Sequence, residues 1–175
     1  MDKISSFRDE YYFLSNFYEA PVTYNGLTYR NNEAAFQAQK TMDEKERILF
    51  TEMSAAQARS TGRRITLRKD WEDVKIGIMC DIVEAKFRQN PDLAEKLLAT
   101  GDMYLEEGNT WGDRTWGSQH PVDVGSEPTG VKRRRVNGVG ANNLGRILME
   151  TRTLMKIRTV LSQERDLSMS DIERD

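Results

Sequence analysis

An α+β fold, a mainly helical single domain with one small antiparallel sheet, is what this sequence predicts. Three observations carry that expectation. Apolar residues recur at helical spacing along most of the chain after residue 31. One short segment near the N-terminus reads as a hairpin. A length of 175 residues suffices for one buried core and falls short of two.

The hairpin is "VTYNGLTY", in which Asn25-Gly26 suits a type I′ turn between two β-rich arms. A two-residue turn pairs Tyr24 with Leu27 and Val22 with Tyr29 on one face, leaving Thr23 and Thr28 on the other. "NNEAAFQAQKT" then opens on asparagine, a good N-cap, and runs into helix formers. "DEKERILFTEM" and "SAAQARSTG" read as two short helices, the second opening at Ser54. "KDWEDVKIGIMCDIVEAKFRQN" is a longer one: Asp70 is placed to cap it, acids fill its first turn, and Val74, Ile78 and Ile82 mark a core-facing stripe. "PDLAEKLLATG" starts on proline and stops at Gly101, and "MYLEE" reads as a short strand. Residues 120–140 are rich in turn formers. A closing helix follows from Asn142, with Leu144, Ile147, Leu148, Thr151, Leu154 and Met155 at core spacing. The domain is expected to span residues 1–162, and the polar segment 163–175 to be a disordered tail.

Composition narrows the function. The net charge of −2 supplies no global basic field for holding nucleic acid. No stretch approaches the roughly 18–20 apolar residues that span a bilayer, and the N-terminus lacks the apolar core of a signal peptide. One cysteine, Cys80, allows no internal disulfide, and with the single His120 it makes no usual zinc site. A cytoplasmic protein with no metal or cofactor and no membrane partner is expected.

Three segments have the residue types for chemistry. Glu33, Gln37 and Lys40 fall at i, i+4 and i+7, so one helix stripe carries a carboxylate, an amide and an ammonium. Such a stripe is either a solvated face or a grip on a polar ligand; Phe36 and the neighbouring alanines mark the helix as buried, which asks for a partner or a task for Glu33. "LEEGNTWGDRTWG", residues 105–117, sets Asp113 between Trp111 and Trp116. A carboxylate between aromatic walls has a raised pKa and serves in proton transfer; the alternative is a tight turn whose tryptophans plug the core. "VKRRRVNGVGANNLGR" places Lys132, Arg133, Arg134 and Arg135 before a glycine-rich turn and a helix start, either a charged surface loop or a phosphate or nucleic-acid contact. Cys80, inside an apolar helix, reads as core rather than nucleophile.

Taken in order, "FRDEYYFLSNFYEAPVTYNGLTYRNNEAAFQAQK", a tryptophan followed by "KIGIM" and "KFRQN", "LLATG" with "LEEGNTWGDRTWG", and "GANNLGRILMETR" resemble the NADAR (YbiA-like) family over about residues 7–155. The resemblance implies an N-glycosidase that breaks a bond between ribose C1′ and nitrogen. One branch of the family acts on phosphorylated ribosylaminopyrimidines of riboflavin synthesis, and another removes ADP-ribose from modified guanine, including guanine in DNA. The matching positions are Asn16, Glu33, Lys40, Trp71, Glu107, Asp113, Trp116, Asn142 and Gly145. Of these, Glu33, Asp113, Lys40 and Trp71 are the expected catalytic group, with Asp113 or Glu33 as the carboxylate near C1′. Asn16, Glu107, Trp116, Asn142 and Gly145 are the expected substrate contacts. Two departures stand out: Ala34 replaces the histidine that usually follows the motif glutamate, and the basic loop 123–135 is longer. The chemistry suits the residue types, since carboxylates stabilise an oxocarbenium-like transition state and a proton source helps the base depart. The substrate is expected to be a small phosphorylated ribosyl compound or ADP-ribosylated guanine; a non-catalytic ADP-ribose-binding module is the remaining alternative. The pocket is expected where the first helix, Trp71 and residues 105–117 converge.

Overall fold

A computed structural model describes residues 2–110, 112–119 and 140–172. Strand β1 (Lys3–Ile4) and a 3₁₀ turn (Asp9–Leu14) lead into the hairpin β2 (Glu19–Tyr24) and β3 (Leu27–Asn31). Helices α1 (Asn32–Ala38), α2 (Glu44–Leu49), α3 (Ala55–Thr61), α4 (Trp71–Gln89) and α5 (Pro91–Ala99) follow. Strands β4 (Tyr104–Leu105), β5 (Gly108–Asn109) and β6 (Ser118–Gln119) precede the closing helix α6 (Asn143–Ile172). The architecture is α+β and mainly helical.

The hairpin has the expected register, Val22 opposite Tyr29, Thr23 opposite Thr28 and Tyr24 opposite Leu27. Asn25 and Gly26 both adopt positive φ, 49° and 81°, as a type I′ turn requires. Val22 and Tyr29 are buried beneath it, and the Thr23 and Thr28 hydroxyls meet at 2.8 Å on the outer face. α4 packs against β2, and its C-terminal amides complete the strand's edge. Gln89 accepts from Thr23 N and donates to Thr23 O at 2.7 and 2.9 Å, while Asn90 donates to Pro21 O at 2.9 Å. The other two strand pairs, β1 with β4 and β5 with β6, are parallel and only two residues long. Ladders that short carry no alternation for a sequence to display.

α4 is the central support. Met79, Ile82, Val83 and Phe87 are buried, each worth roughly 1.5–3 kcal/mol. α3 starts at Ser54, as expected, and Ser54 closes a capping box with Gln57 there. Asp70 stands at the N-cap of α4 without capping it: its carboxylate instead takes a bidentate pair from Arg68 at 2.6 and 2.8 Å. Along α6, Leu144, Ile147, Leu148 and Thr151 are buried, but Leu154 is 45 % exposed. Met155 still packs against the core, and the exposed run of Ile157, Val160 and Leu161 follows it. α6 then continues to Ile172, beyond the boundary at residue 162 that composition suggests. A polar composition limits what a segment can bury; it does not remove helix propensity, and no proline interrupts this one. Among the described residues no helix is long and apolar enough to cross a membrane.

Candidate active site

The floor of the site is α1. Asn31 caps it by accepting Ala34 N at 2.8 Å, and every residue of the helix is buried. Glu33 and Gln37 on this helix, and Lys40 two residues past its end, line a cavity, so the stripe is not a solvated face. Gln37 donates to Glu33 Oε1 at 2.8 Å. Glu33 N donates to Asn16 O at 3.0 Å, which draws the loop after the 3₁₀ turn against the helix start. Asn16 is buried there, its amide accepting from Asn32 and donating towards Met79 Sδ, both at 3.4 Å. Lys40, half-buried, donates to Gly62 O at 3.4 Å and lies 5.9 Å from the Trp71 ring centroid. Ala34 is fully buried and does not line the cavity.

The facing wall is the loop 105–117, and a buried asparagine organises it. Asn109 Oδ1 accepts the backbone N–H groups of Gly112 and Asp113 at 3.1 and 3.0 Å, while its amide donates to Asp113 O and Ser118 O. Asp113 Oδ1 in turn accepts Thr115 N and Trp116 N at 3.0 and 2.9 Å, which fixes the carboxylate. Phe36 sits between two tryptophans, 5.0 Å from Trp71 and 5.2 Å from Trp116. The aromatic wall is thus shared among α1, the start of α4 and the loop. Trp111 lies outside the described residues.

These elements enclose a cavity of about 560 Å³, within the range of small-molecule sites. Asn16, Glu33, Lys40, Trp71, Glu107, Asp113 and Trp116 all line it, at the place expected from the sequence. Burial pushes the Glu33 carboxyl up, opposed by the Gln37 hydrogen bond and by Arg59 and Lys40. Burial also pushes Glu107 up to about 7, and the neighbouring Asp113 and Glu33 add to the shift while Arg59 opposes it. The Lys40 ammonium is pushed down by burial, against the pull of Glu33. Three acids near one another thus include one that exchanges its proton around neutral pH.

Asn142 and Gly145 do not line the cavity; they support its wall. Asn142 accepts Glu107 N at 3.0 Å and donates to Leu105 O at 2.9 Å, which fixes the backbone that carries Glu107. A Cβ on Gly145 would lie 2.2 Å from Leu105 O, so only glycine lets α6 approach this closely. Residues 132–135 lie outside the described residues. Among the described residues no group of three or more His, Cys, Asp or Glu side chains is arranged to hold a metal. Cys80 is half-buried and its thiol is pushed up by burial, with Glu150 and Asp81 adding to it.

Two functional candidates were missed by sequence reasoning. Lys86 is 1 % exposed and donates to Phe13 O and Ser15 O at 2.6 and 3.0 Å, pinning the segment that carries Asn16. Burial pushes its pKa down to about 7. Arg59, on α3, lines the cavity, and its charge acts on Glu33 and Glu107. A lysine in the apolar phase of α4 is the only trace the first leaves in the sequence.

The sequence profile of the NADAR domain matches residues 5–156. This chain belongs to the NADAR family. It is 38% identical over 152 residues to N-glycosidase YbiA of Shigella flexneri, covering 85% of this chain and 84% of that protein. It is 40% identical over 144 residues to a riboflavin biosynthesis protein of Vibrio vulnificus, covering 80% of this chain but only 34% of that longer protein. The NMR structure of Escherichia coli YbiA superposes with a TM-score of 0.71 at 34% identity, covering 90% of this chain and 86% of that one.

Proposed function

We propose that this NADAR chain is an N-glycosidase hydrolysing the bond between ribose C1′ and a base or amine nitrogen, with ribosylaminopyrimidine phosphates of the riboflavin pathway as substrate. The observation that carries the reading is the convergence of Glu33, Glu107 and Asp113 on one aromatic-walled cavity. The relatives support it: those of matching length are N-glycosidases by name, and the Vibrio protein is named for riboflavin biosynthesis.

The roles follow from the geometry. As the C1′–N bond breaks, its electron pair stays on nitrogen and positive charge grows on the sugar. Glu107 donates the proton that the departing nitrogen takes up, since its carboxyl stays protonated up to about pH 7. Asp113, its carboxylate fixed by two backbone N–H groups, stands beside the developing charge and accepts a proton from the attacking water. Lys40 and Asn16 orient the sugar hydroxyls. Trp71, Phe36 and Trp116 exclude bulk water and offer faces for a flat heterocycle.

Asp113→Asn is the sharpest variant, because an asparagine Oδ1 keeps both backbone hydrogen bonds while the charge is lost. Turnover of the ribosylaminopyrimidine phosphate should fall by at least about 100-fold with the melting temperature nearly unchanged. Full activity in the Asp113→Asn variant would remove Asp113 from the mechanism.

A further inference from the structure

The cavity also holds guanidinium groups that the hydrolytic chemistry does not use. Four basic residues line it: Arg8, Lys40, Arg59 and Lys75. Two are already engaged, Lys40 with the Gly62 carbonyl and Lys75 with the Glu72 carboxylate. Arg59 is half-buried, its guanidinium 5.6 Å from the centroid of the Phe17 ring, and among the described residues it forms no ion pair and donates no hydrogen bond to the protein. The Arg8 side chain is likewise without a partner among the described residues, and stands exposed at the rim. A guanidinium over an aromatic face, whose N–H donors no protein group takes among the described residues, is free to offer them to a ligand oxyanion in the cavity. The two acids that feel Arg59 most directly are Glu33 and Glu107, so its charge lies close to the reacting end. It is nevertheless not paired with either.

We propose that Arg59, assisted by Arg8, forms an oxyanion subsite that takes the phosphate on the ribose C5′ oxygen, while C1′ faces the carboxylates. Planar guanidinium groups match phosphate oxygens in bidentate fashion, which a lysine ammonium does not. A substrate with an anion on C5′ and a developing cation at C1′ meets charges of both signs within one cavity. The acids therefore do not repel the phosphate as they would without Arg59. This rests on the ribosyl substrate proposed above and adds the group that selects it. A terminal monoester and the first phosphate of a diphosphate share this chemistry.

Isothermal calorimetry with ribose, ribose 5-phosphate and ADP-ribose tests the subsite without any turnover. It therefore stands or falls separately from the hydrolytic reading. Wild type should bind ribose 5-phosphate at least about tenfold more tightly than ribose. Arg59→Ala should erase that difference, Arg59→Lys should keep part of it, and Arg8→Ala should weaken it less. Tighter binding of ADP-ribose than of ribose 5-phosphate would assign the subsite to a diphosphate; equal or weaker binding would assign it to a monoester. Circular dichroism checks the fold of each variant, and Arg59→Gln, which keeps bulk and polarity, serves if the alanine variant fails to fold. Equal affinity of wild type for ribose and ribose 5-phosphate would overturn the proposal. So would retention of wild-type affinity in folded Arg59→Ala or Arg59→Gln.

Discussion

At the scale of single residues, the site divides into groups that react and groups that hold them. Glu107 is the proton carrier because burial and two neighbouring acids raise it to about 7, whereas its backbone is fixed by Asn142. Glu107→Gln should lower kcat by at least about 100-fold, and the wild-type kcat should decline as pH rises through about 7, because the proton to be donated is then lost. A pH–rate profile that stays flat from 6 to 8 would take that role from Glu107. Asn109 belongs to the second class, with four hydrogen bonds from one side chain shaping the loop around Asp113. Asn109→Ala leaves buried groups unpaired at about 1–3 kcal/mol each; it should lower the melting temperature and activity together, which thermal unfolding and initial rates on the same preparation will show. Glu33, Asp113 and Trp116 stood out in the sequence by spacing and neighbourhood, whereas Glu107 and Trp71 were reached only through the family resemblance and Phe36 read as core. The distinction between Glu107 and its neighbours was not legible there, because a pKa depends on burial and on through-space charges that spacing does not reveal.

At the scale of elements, α1 and α4 place the chemistry. α1 faces the cavity because the hairpin delivers Asn31 as its cap, and α4 supplies Trp71 at one end and Lys86 near the other. Lys86 ties the Phe13–Ser15 segment, whose neighbour Asn16 accepts the N–H of Glu33. Lys86→Met strands two buried carbonyls and should release that segment. The expected outcome is a loss of kcat/KM of about tenfold with faster amide exchange at Glu33, while amides of α6 exchange as in wild type. Unchanged exchange at Glu33 would show that Lys86 does not position the loop. The hairpin, with its Asn-Gly turn, and the helix caps at Asn31 and Ser54 could be read from sequence because each is local. The parallel pairs β1–β4 and β5–β6 could not, since each joins two-residue strands by tertiary packing alone. The exposure of Leu154 was equally hidden: spacing alone does not tell that Met155 rather than Leu154 meets the core at the end of the packed part of α6.

At the scale of the whole molecule, two buried groups near pKa 7 shape stability in opposite senses. Glu107 titrates near 4.5 when unfolded and about 7 when folded, so its contribution is full below 4.5 and is lost as pH rises through 7. Lys86 titrates near 10.5 when unfolded and about 7 when folded; the unfolded chain holds the extra proton between those values, so stability rises with pH from about 7 towards 10. The melting temperature should therefore pass through a minimum near pH 7. Glu107→Gln should flatten the acid side of that minimum and Lys86→Met the alkaline side, and scans from pH 5 to 9 decide it. What the whole molecule does is decided by its reaction. Mass spectrometry of products, with wild type and Glu107→Gln on a ribosylaminopyrimidine phosphate and on an oligonucleotide bearing ADP-ribosylated guanine, tests it most directly. Ribose 5-phosphate and free aminopyrimidine released by wild type, and suppressed in the variant, is the predicted result. An intact pyrimidine substrate after prolonged incubation would contradict it, and restored guanine in the oligonucleotide alone would move the activity to nucleic acid.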